Sequence, residues 1–292
     1  MNKTLSVVII IVSALYANLG YTSPQKGLDI YKGKHSAVAF KKIIKLADQG
    51  DAFAQFQLGN IYYHGKGVTK FFDTAFKWYL ASAVQSYAAA QYMLGVMLAN
   101  GEGVIEDKTQ AFKWFLSAAD MDDANAQFSI GDWYLNGYGV AKDDVLAAKW
   151  FKKAAELGHV DAQNNLGVMY INGQGVEQSD EQSIHWFRKA AEQGNAHAQC
   201  SLGLLYKDGQ GVMKDEVQAV QWLRKAAVQG DSNAQSNLGF MYATGKGVAQ
   251  DKEQGVKWLR KAAAQGDIEA QQNLKKLCCL SNVNIVIDTD KD

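Results

Sequence analysis

Residues 162–194 read AQNNLGVMYINGQGVEQSDEQSIHWFRKAAEQG, and this stretch decides the fold. Ala162, Leu166, Met169 and Tyr170 stand at i, i+4, i+7 and i+8, one apolar face of a helix running from about Asp161 to Tyr170. Gly167 lies inside that helix, where glycine costs about 1 kcal/mol relative to alanine, so a close neighbour is expected against it. Asn172-Gly173-Gln174-Gly175-Val176 stops the helix, its glycines free to take the left-handed conformation that closes a C-terminus. A second helix starts at Ser179, which has capping-box spacing to Gln182. It presents Trp186 and Ala190-Ala191 as an apolar stripe, a bulky ring set against small partners. Gly194 ends it.

Outward from this stretch, the same unit recurs on both sides. Ala-Gln stands at Ala54-Gln55, Ala90-Gln91, Ala126-Gln127, Ala162-Gln163, Ala198-Gln199, Ala234-Gln235 and Ala270-Gln271, always 36 residues apart. Trp78, Trp114, Trp150, Trp186, Trp222 and Trp258 keep the same register, as do the Gly-x-Gly-Val units that begin at Gly65, Gly101, Gly137, Gly173, Gly209 and Gly245. The internal glycine returns at Gly59, Gly95, Gly131, Gly203 and Gly239, and Asp107, Asp143, Asp215 and Asp251 stand where Ser179 caps. A helix pair this short cannot bury both faces alone, but stacked on copies of itself it can. The expected fold is all-α, a right-handed α/α superhelical solenoid of 36-residue helix-turn-helix repeats. It spans 27–280, with six helix pairs over 52–267 between two half-repeat caps. The caps are atypical, as terminal repeats should be: Lys42 stands at the Trp position, Lys275 at the internal glycine and Cys278 at the Tyr position. Residues 281–292, with a β-prone run from Val283 to Ile287, are expected to form a flexible tail.

Composition narrows the function classes. Thirty Lys and Arg balance thirty Asp and Glu, so a chain of 292 residues with no polybasic run is a poor candidate for nucleic acid or an anionic membrane through its overall field. The single proline is Pro24. The three cysteines, Cys200, Cys278 and Cys279, form neither a disulfide framework nor a zinc-ligand spacing. Residues 1–20 have the parts of a secretory signal: Lys3, an apolar run from Leu5 to Leu15, then Ala14, Ala17 and Gly20. That run is shorter than the roughly 20 residues that cross a bilayer. A secreted or periplasmic protein is expected, cut after Ala17 or Gly20, with no membrane span after cleavage; an uncleaved anchor is the alternative.

The pattern Ala-Gln-x-x-Leu-Gly-x-x-Tyr-x-x-Gly-x-Gly-Val-x-x-Asp, then Ala-x-x-Trp and Ala-Ala-x-x-Gly, resembles the Sel-1-like repeat family, relatives of the tetratricopeptide repeats, over about residues 36–279. The resemblance implies an α/α superhelix acting as an adaptor or scaffold in protein complexes, and secreted bacterial members are associated with cell-envelope processes and host interaction. Four positions depart from the pattern: Phe71 replaces the capping Asp, Leu98 the Tyr, and Ser86 and Asp122 the terminating Gly. The first two helix pairs are where local geometry is expected to differ.

Chemistry is sparse. His35, His64, His159, His185 and His197 have no metal-ligand spacing, and His159 and His197 sit in links where a cap or surface role is expected. The Gly-x-Gly units follow helices and recur six times, so they read as turns rather than phosphate loops. No catalytic, cofactor or metal site is expected. Cysteine-rich members of the resembled family are described as penicillin-binding or β-lactamase-like, but they carry a cysteine pair per repeat, whereas Cys200 stands alone in its repeat. A β-lactamase-like or other envelope hydrolase is therefore the first alternative, and a peptidoglycan- or glycan-binding protein the second. The partner expected first is a protein or peptide. Positions free to vary between repeats are free of packing duty, and the position after Gln gives Phe56, Tyr92, Phe128, Asn164, Cys200 and Ser236. This column should lie on one face, aromatic in its first half, and an exposed aromatic surface marks a binding site. Tyr63, Asp132 and Trp133 extend it, and Asn165, Lys207 and Asn237 continue it as a more polar groove. The competing expectation is that the aromatics pack against the next helix. The candidate partner-binding residues are thus Phe56, Tyr63, Tyr92, Phe128, Asp132, Asn164 and Asn165.

Overall fold

The computed structural model describes residues 34–281, with side chains from 38 to 277. The expected signal segment, the tail from 282 and the side chains of Cys278 and Cys279 lie outside the described residues. Among those described there are fourteen helices and no strand. The chain divides into two compact units at Lys142/Asp143. The first holds α1 (Lys34–Asp48), α2 (Ala52–His64), α3 (Phe72–Ala83), α4 (Ala88–Asn100), α5 (Lys108–Ala119) and α6 (Ala124–Asn136). The second holds α7 (Asp144–Glu156), α8 (Val160–Asn172), α9 (Asp180–Glu192), α10 (Ala196–Asp208), α11 (Glu216–Val228), α12 (Ser232–Thr244), α13 (Lys252–Ala264) and α14 (Ile268–Ser281). Even numbers are the first helix of each repeat (A) and odd numbers the second (B). Within each unit every helix packs on the next, as short links between helices require. The expected half-repeat caps are α1 and α14.

The internal glycine explains the packing. A Cβ on Gly59 would come within 2.6 Å of the Tyr79 ring, and one on Gly95 within 2.5 Å of Phe115. Gly167 meets Phe187 at 2.7 Å, and Gly203 and Gly239 meet Leu223 and Leu259 at 2.7 and 2.8 Å. In these five repeats helix A therefore lies almost in backbone contact with a side chain of its own helix B, and that side chain is the residue after the tryptophan. Tyr79, Phe151, Leu223 and Leu259 are wholly buried. This revises the stripe read from sequence. Trp78, Trp114, Trp150, Trp222 and Trp258 are only half-buried, and Trp186 alone reaches 5% exposure.

The Ala-Gln marker also has a structural duty. The Gln amide of each helix A donates to a carbonyl near the end of the preceding helix B: Gln55 to Ala47 and Gln91 to Ala83, both at 3.1 Å. Gln163, Gln199 and Gln235 do the same to Ala155, Ala191 and Ala227 at 3.0–3.1 Å. Each of these carbonyls also accepts the backbone N–H of the residue three further on, so the glutamine is a second donor that ties each repeat to its predecessor. A second glutamine, 30 residues further on, donates to the first one's Oε1: Gln85 to Gln55 (2.7 Å), Gln193 to Gln163 (2.8 Å), Gln229 to Gln199 (2.8 Å) and Gln265 to Gln235 (2.9 Å). Residue 121, the equivalent for Gln91, is Met, and the buried Oε1 of Gln91 has no hydrogen-bond partner.

Helix ends follow the side-chain chemistry. Ser179 Oγ accepts from Gln182 N at 3.2 Å, and Asp107, Asp143, Asp215 and Asp251 cap in the same way. Phe71 makes no side-chain cap bond. Helix A ends on a left-handed glycine at Gly65, Gly101, Gly137, Gly173, Gly209 and Gly245. Ser86 (φ 64°) and Asp122 (φ 58°) take positive φ where other repeats use glycine, so the turn keeps its shape at the cost of backbone strain.

Candidate functional site

The solvent side of each helix A consists of the residues left over once Ala, Gln, Leu and Gly face inward. In α2 these are Phe53, Phe56, Gln57, Asn60, Tyr63 and His64, none of them buried. In the second unit the A helices also touch one another directly, which makes their row the inner surface of that stack.

The first unit carries an aromatic network on this row. Phe56 is half-buried, its ring 5.8 Å from Tyr79 and 5.1 Å from Tyr87. Tyr92 is half-buried with its ring 5.7 Å from Phe115; burial raises its phenol pKa, and Ser129 hydrogen-bonds its hydroxyl. Tyr63 packs edge-on against His64 and Phe72 and donates to Glu102 Oε2 at 2.8 Å. Burial first, and then the Glu102 carboxylate, pushes its pKa up to about 12. Phe128 is half-buried. These aromatics are wedged between helices with one side showing, not a freely exposed column. Trp133 does not extend it: it is 8% exposed and packs on Phe112 and Phe115 at 6.0 and 5.4 Å. Asp132 is half-buried and accepts from the Asn136 amide at 2.8 Å; burial raises its carboxyl above the usual range, and the Asn136 bond opposes this.

The aromatic most open to a partner on the A helices of this unit is Phe53, 56% exposed, beside Tyr87 at 6.3 Å. Sequence reasoning missed it because the column was read from the position after Gln. The position before Ala was the signal, since it holds Phe53, Ala89, Asn125, Asp161, His197 and Asn233 and varies as freely.

The second unit is polar on its A-helix surface. Asn164 and Asn165 are half-buried neighbours joined at 3.4 Å, and the buried Oδ1 of Asn164 has no hydrogen-bond partner. Lys207 Nζ donates to Asn237 Oδ1 at 2.8 Å, and the Asn237 amide donates to Asn233 Oδ1 at 2.8 Å. Cys200 and Ser236 leave the candidate column, being 4% and 2% exposed. Burial, then Asp231, pushes the Cys200 thiol far above its usual value, so it is held protonated and is a poor nucleophile. His159 Nδ1 caps α8 by accepting from Ala162 N at 3.2 Å, and the exposed His197 ring meets Asp231 at 3.1 Å. Among the described residues no group of three or more His, Cys, Asp or Glu is placed to hold a metal ion, and no helix is long and apolar enough to cross a membrane.

Comparison with known proteins agrees with this architecture. The Sel1 repeat model matches six times in succession, over residues 52–86, 88–123, 124–159, 160–195, 196–231 and 232–267. A search of curated proteins returns no match. Among solved structures the chain is similar to c5321, a protective antigen of uropathogenic Escherichia coli strains displaying an SLR fold. Identity is 36%, coverage 84% of this chain and 52% of that one, and the TM-score 0.78. This chain thus spans about half the length of that antigen. It is also similar to a Sel1 repeat protein from Oxalobacter formigenes, with 31% identity, coverage of 80% of this chain and 94% of that one, and a TM-score of 0.72. Six consecutive repeats on a helical solenoid, the type generally used as a scaffold for protein–protein interaction, place this chain in the Sel1-repeat family.

Proposed function

We propose that this protein is an exported scaffold that holds a protein or peptide partner on its A-helix surface, in the cell envelope or outside the cell. One observation carries the reading: on repeats built from the same packing residues, the A-helix surface changes in chemistry from one unit to the next. It changes from Phe53, Phe56 and Tyr92 in the first unit to Asn164, Asn165 and Asn237 in the second. Half-buried aromatics present large area at little entropic cost, and amides bond to peptide groups whatever the side chain. Export rests on the three-part leader at residues 1–20. The similar antigen from E. coli is consistent with a surface role.

Selection from a displayed random-peptide library on the full chain tests the binding reading. Enriched peptides should lose binding to Phe53→Ser and Asn237→Ala variants and keep it to a Glu253→Gln variant on helix B. Enrichment of no peptide, or binding indifferent to both A-helix changes, would overturn it.

A further inference from the structure

The two units differ on their B helices as well. After each tryptophan of the second unit come two positions that are always basic. The first is Lys152, Arg188, Arg224 or Arg260, and the second Lys153, Lys189, Lys225 or Lys261. All eight side chains are exposed, and none forms an ion pair among the described residues. In the first unit the same positions hold Leu80 and Ala81, then Leu116 and Ser117. Basic residues in a last turn favour the helix dipole, yet α3 and α5 form the same helix without them. The fold does not require this charge.

The charges are also held in place. The second lysine of each pair lies over the ring of its tryptophan: Lys153 on Trp150 at 4.2 Å, Lys189 on Trp186 at 4.8 Å, Lys225 on Trp222 at 3.9 Å and Lys261 on Trp258 at 4.5 Å. Arg188 donates to the Tyr206 hydroxyl at 3.1 Å, and Arg224 donates to that of Tyr242. A ring face and a phenol fix a cation without neutralising it, and both leave N–H groups for an incoming anion. Glu156 and Glu192 follow one turn later on α7 and α9, but Val228 and Ala264 stand there on α11 and α13. The positive excess is therefore greatest at Arg224, Lys225, Lys257, Arg260 and Lys261.

We infer that the B-helix face of the second unit binds a linear anionic polysaccharide bearing carboxylates, separately from the A-helix row. The basic pairs repeat once per helix pair, a regular row that suits a chain whose own charges recur regularly. A protein partner needs anchors that it can desolvate at the centre of its interface, and the tryptophan rings here are already covered by their lysines. The residues before the tryptophans are Lys149, His185, Gln221 and Lys257. An anionic bilayer attracts basic side chains as well, and the comparison with vesicles separates it from a polysaccharide.

Binding of the full chain to polygalacturonate is measured against neutral dextran, poly-L-glutamate and vesicles of anionic phosphatidylglycerol. Polygalacturonate should bind, dextran should not, and the other two should bind at least tenfold more weakly. The variant R224Q/K225Q/R260Q/K261Q, with unchanged helical circular dichroism, should weaken binding at least tenfold. It should also lower the slope of log K against log salt by about 3, at the roughly 0.7–0.9 per displaced counterion found for polyanions. K41Q/K42Q/K45Q on α1 should leave binding unchanged. Equal affinity for poly-L-glutamate or for the vesicles, or an unchanged salt slope in the quadruple variant, would overturn the proposal.

Discussion

Met121→Gln should stabilise the first unit, and the reason is countable in hydrogen bonds. In four repeats a glutamine at the end of helix B donates to the Oε1 of the buried glutamine 30 residues earlier, at 2.7–2.9 Å. At position 121 methionine interrupts the series and leaves Gln91 Oε1 buried without a partner. An orphaned buried acceptor costs about 1–3 kcal/mol, while a completed hydrogen bond contributes about 0.5–1.5 kcal/mol. Met121 is 45% exposed, so replacing it forfeits about half the burial energy of a methionine, roughly 1 kcal/mol. The balance is a gain of about 1 kcal/mol. The mirror experiment is Gln229→Met, which orphans Gln199 Oε1 and removes a second bond to Gly194 O at 3.0 Å; it should cost about 1–3 kcal/mol. Repeat arrays do not unfold as a single two-state unit, so the assay is native-state hydrogen exchange. Amides of α4 and α5 should gain protection in Met121→Gln, and those of α10 and α11 should lose it in Gln229→Met. No change in either variant would refute the idea that the glutamine ladder couples neighbouring repeats.

Other outcomes follow from the same geometry. Gly95→Ala drives a Cβ to within 2.5 Å of the Phe115 ring and should cost about 1–3 kcal/mol despite alanine's better helix propensity, read as lost hydrogen-exchange protection in α4 and α5. The Cys200 thiol should resist alkylation at pH 8 in the native protein and react at once in denaturant, since burial and Asp231 both hold it protonated. The folded-state pKa of Asp132 is raised, so its contribution to stability is fully present below the unfolded carboxylate pKa and is lost as pH rises through the folded value. Asp132→Asn should therefore stabilise at pH 7, and the gain over wild type should vanish below the carboxylate range, seen by thermal melts across pH. Mass spectrometry of protein from the envelope fraction should give a mature N-terminus just after Ala17 or Gly20.

The repeat was legible because its markers are the residues that cannot change without loss. Gly167 has no room for a Cβ beside Phe187, and Gln163 donates to a carbonyl of the helix before it. A strict 36-residue register therefore survives in the chain. The tryptophan misled about depth. It recurs as faithfully as the core does, yet the wholly buried side chain is the next one along, which varies among Tyr, Phe and Leu. Periodicity shows that a position is constrained but not from which side. The candidate surface was half legible for the same reason. Variation picked out the A-helix row, but Cys200 and Ser236 vary there while buried, because small side chains fit between helices without a shared identity. Phe53 was overlooked because a conspicuous aromatic column one turn away drew the reading.

The central claim is that the A-helix surface holds the partner, and photocrosslinking in cells tests it most directly. A photoreactive residue is placed at Phe53, Tyr92 or Asn237 on A helices and at Glu253 on helix B. The account predicts a discrete protein adduct from A-helix sites and none from the helix B site. Adducts from Glu253 alone, or from no site, would contradict it.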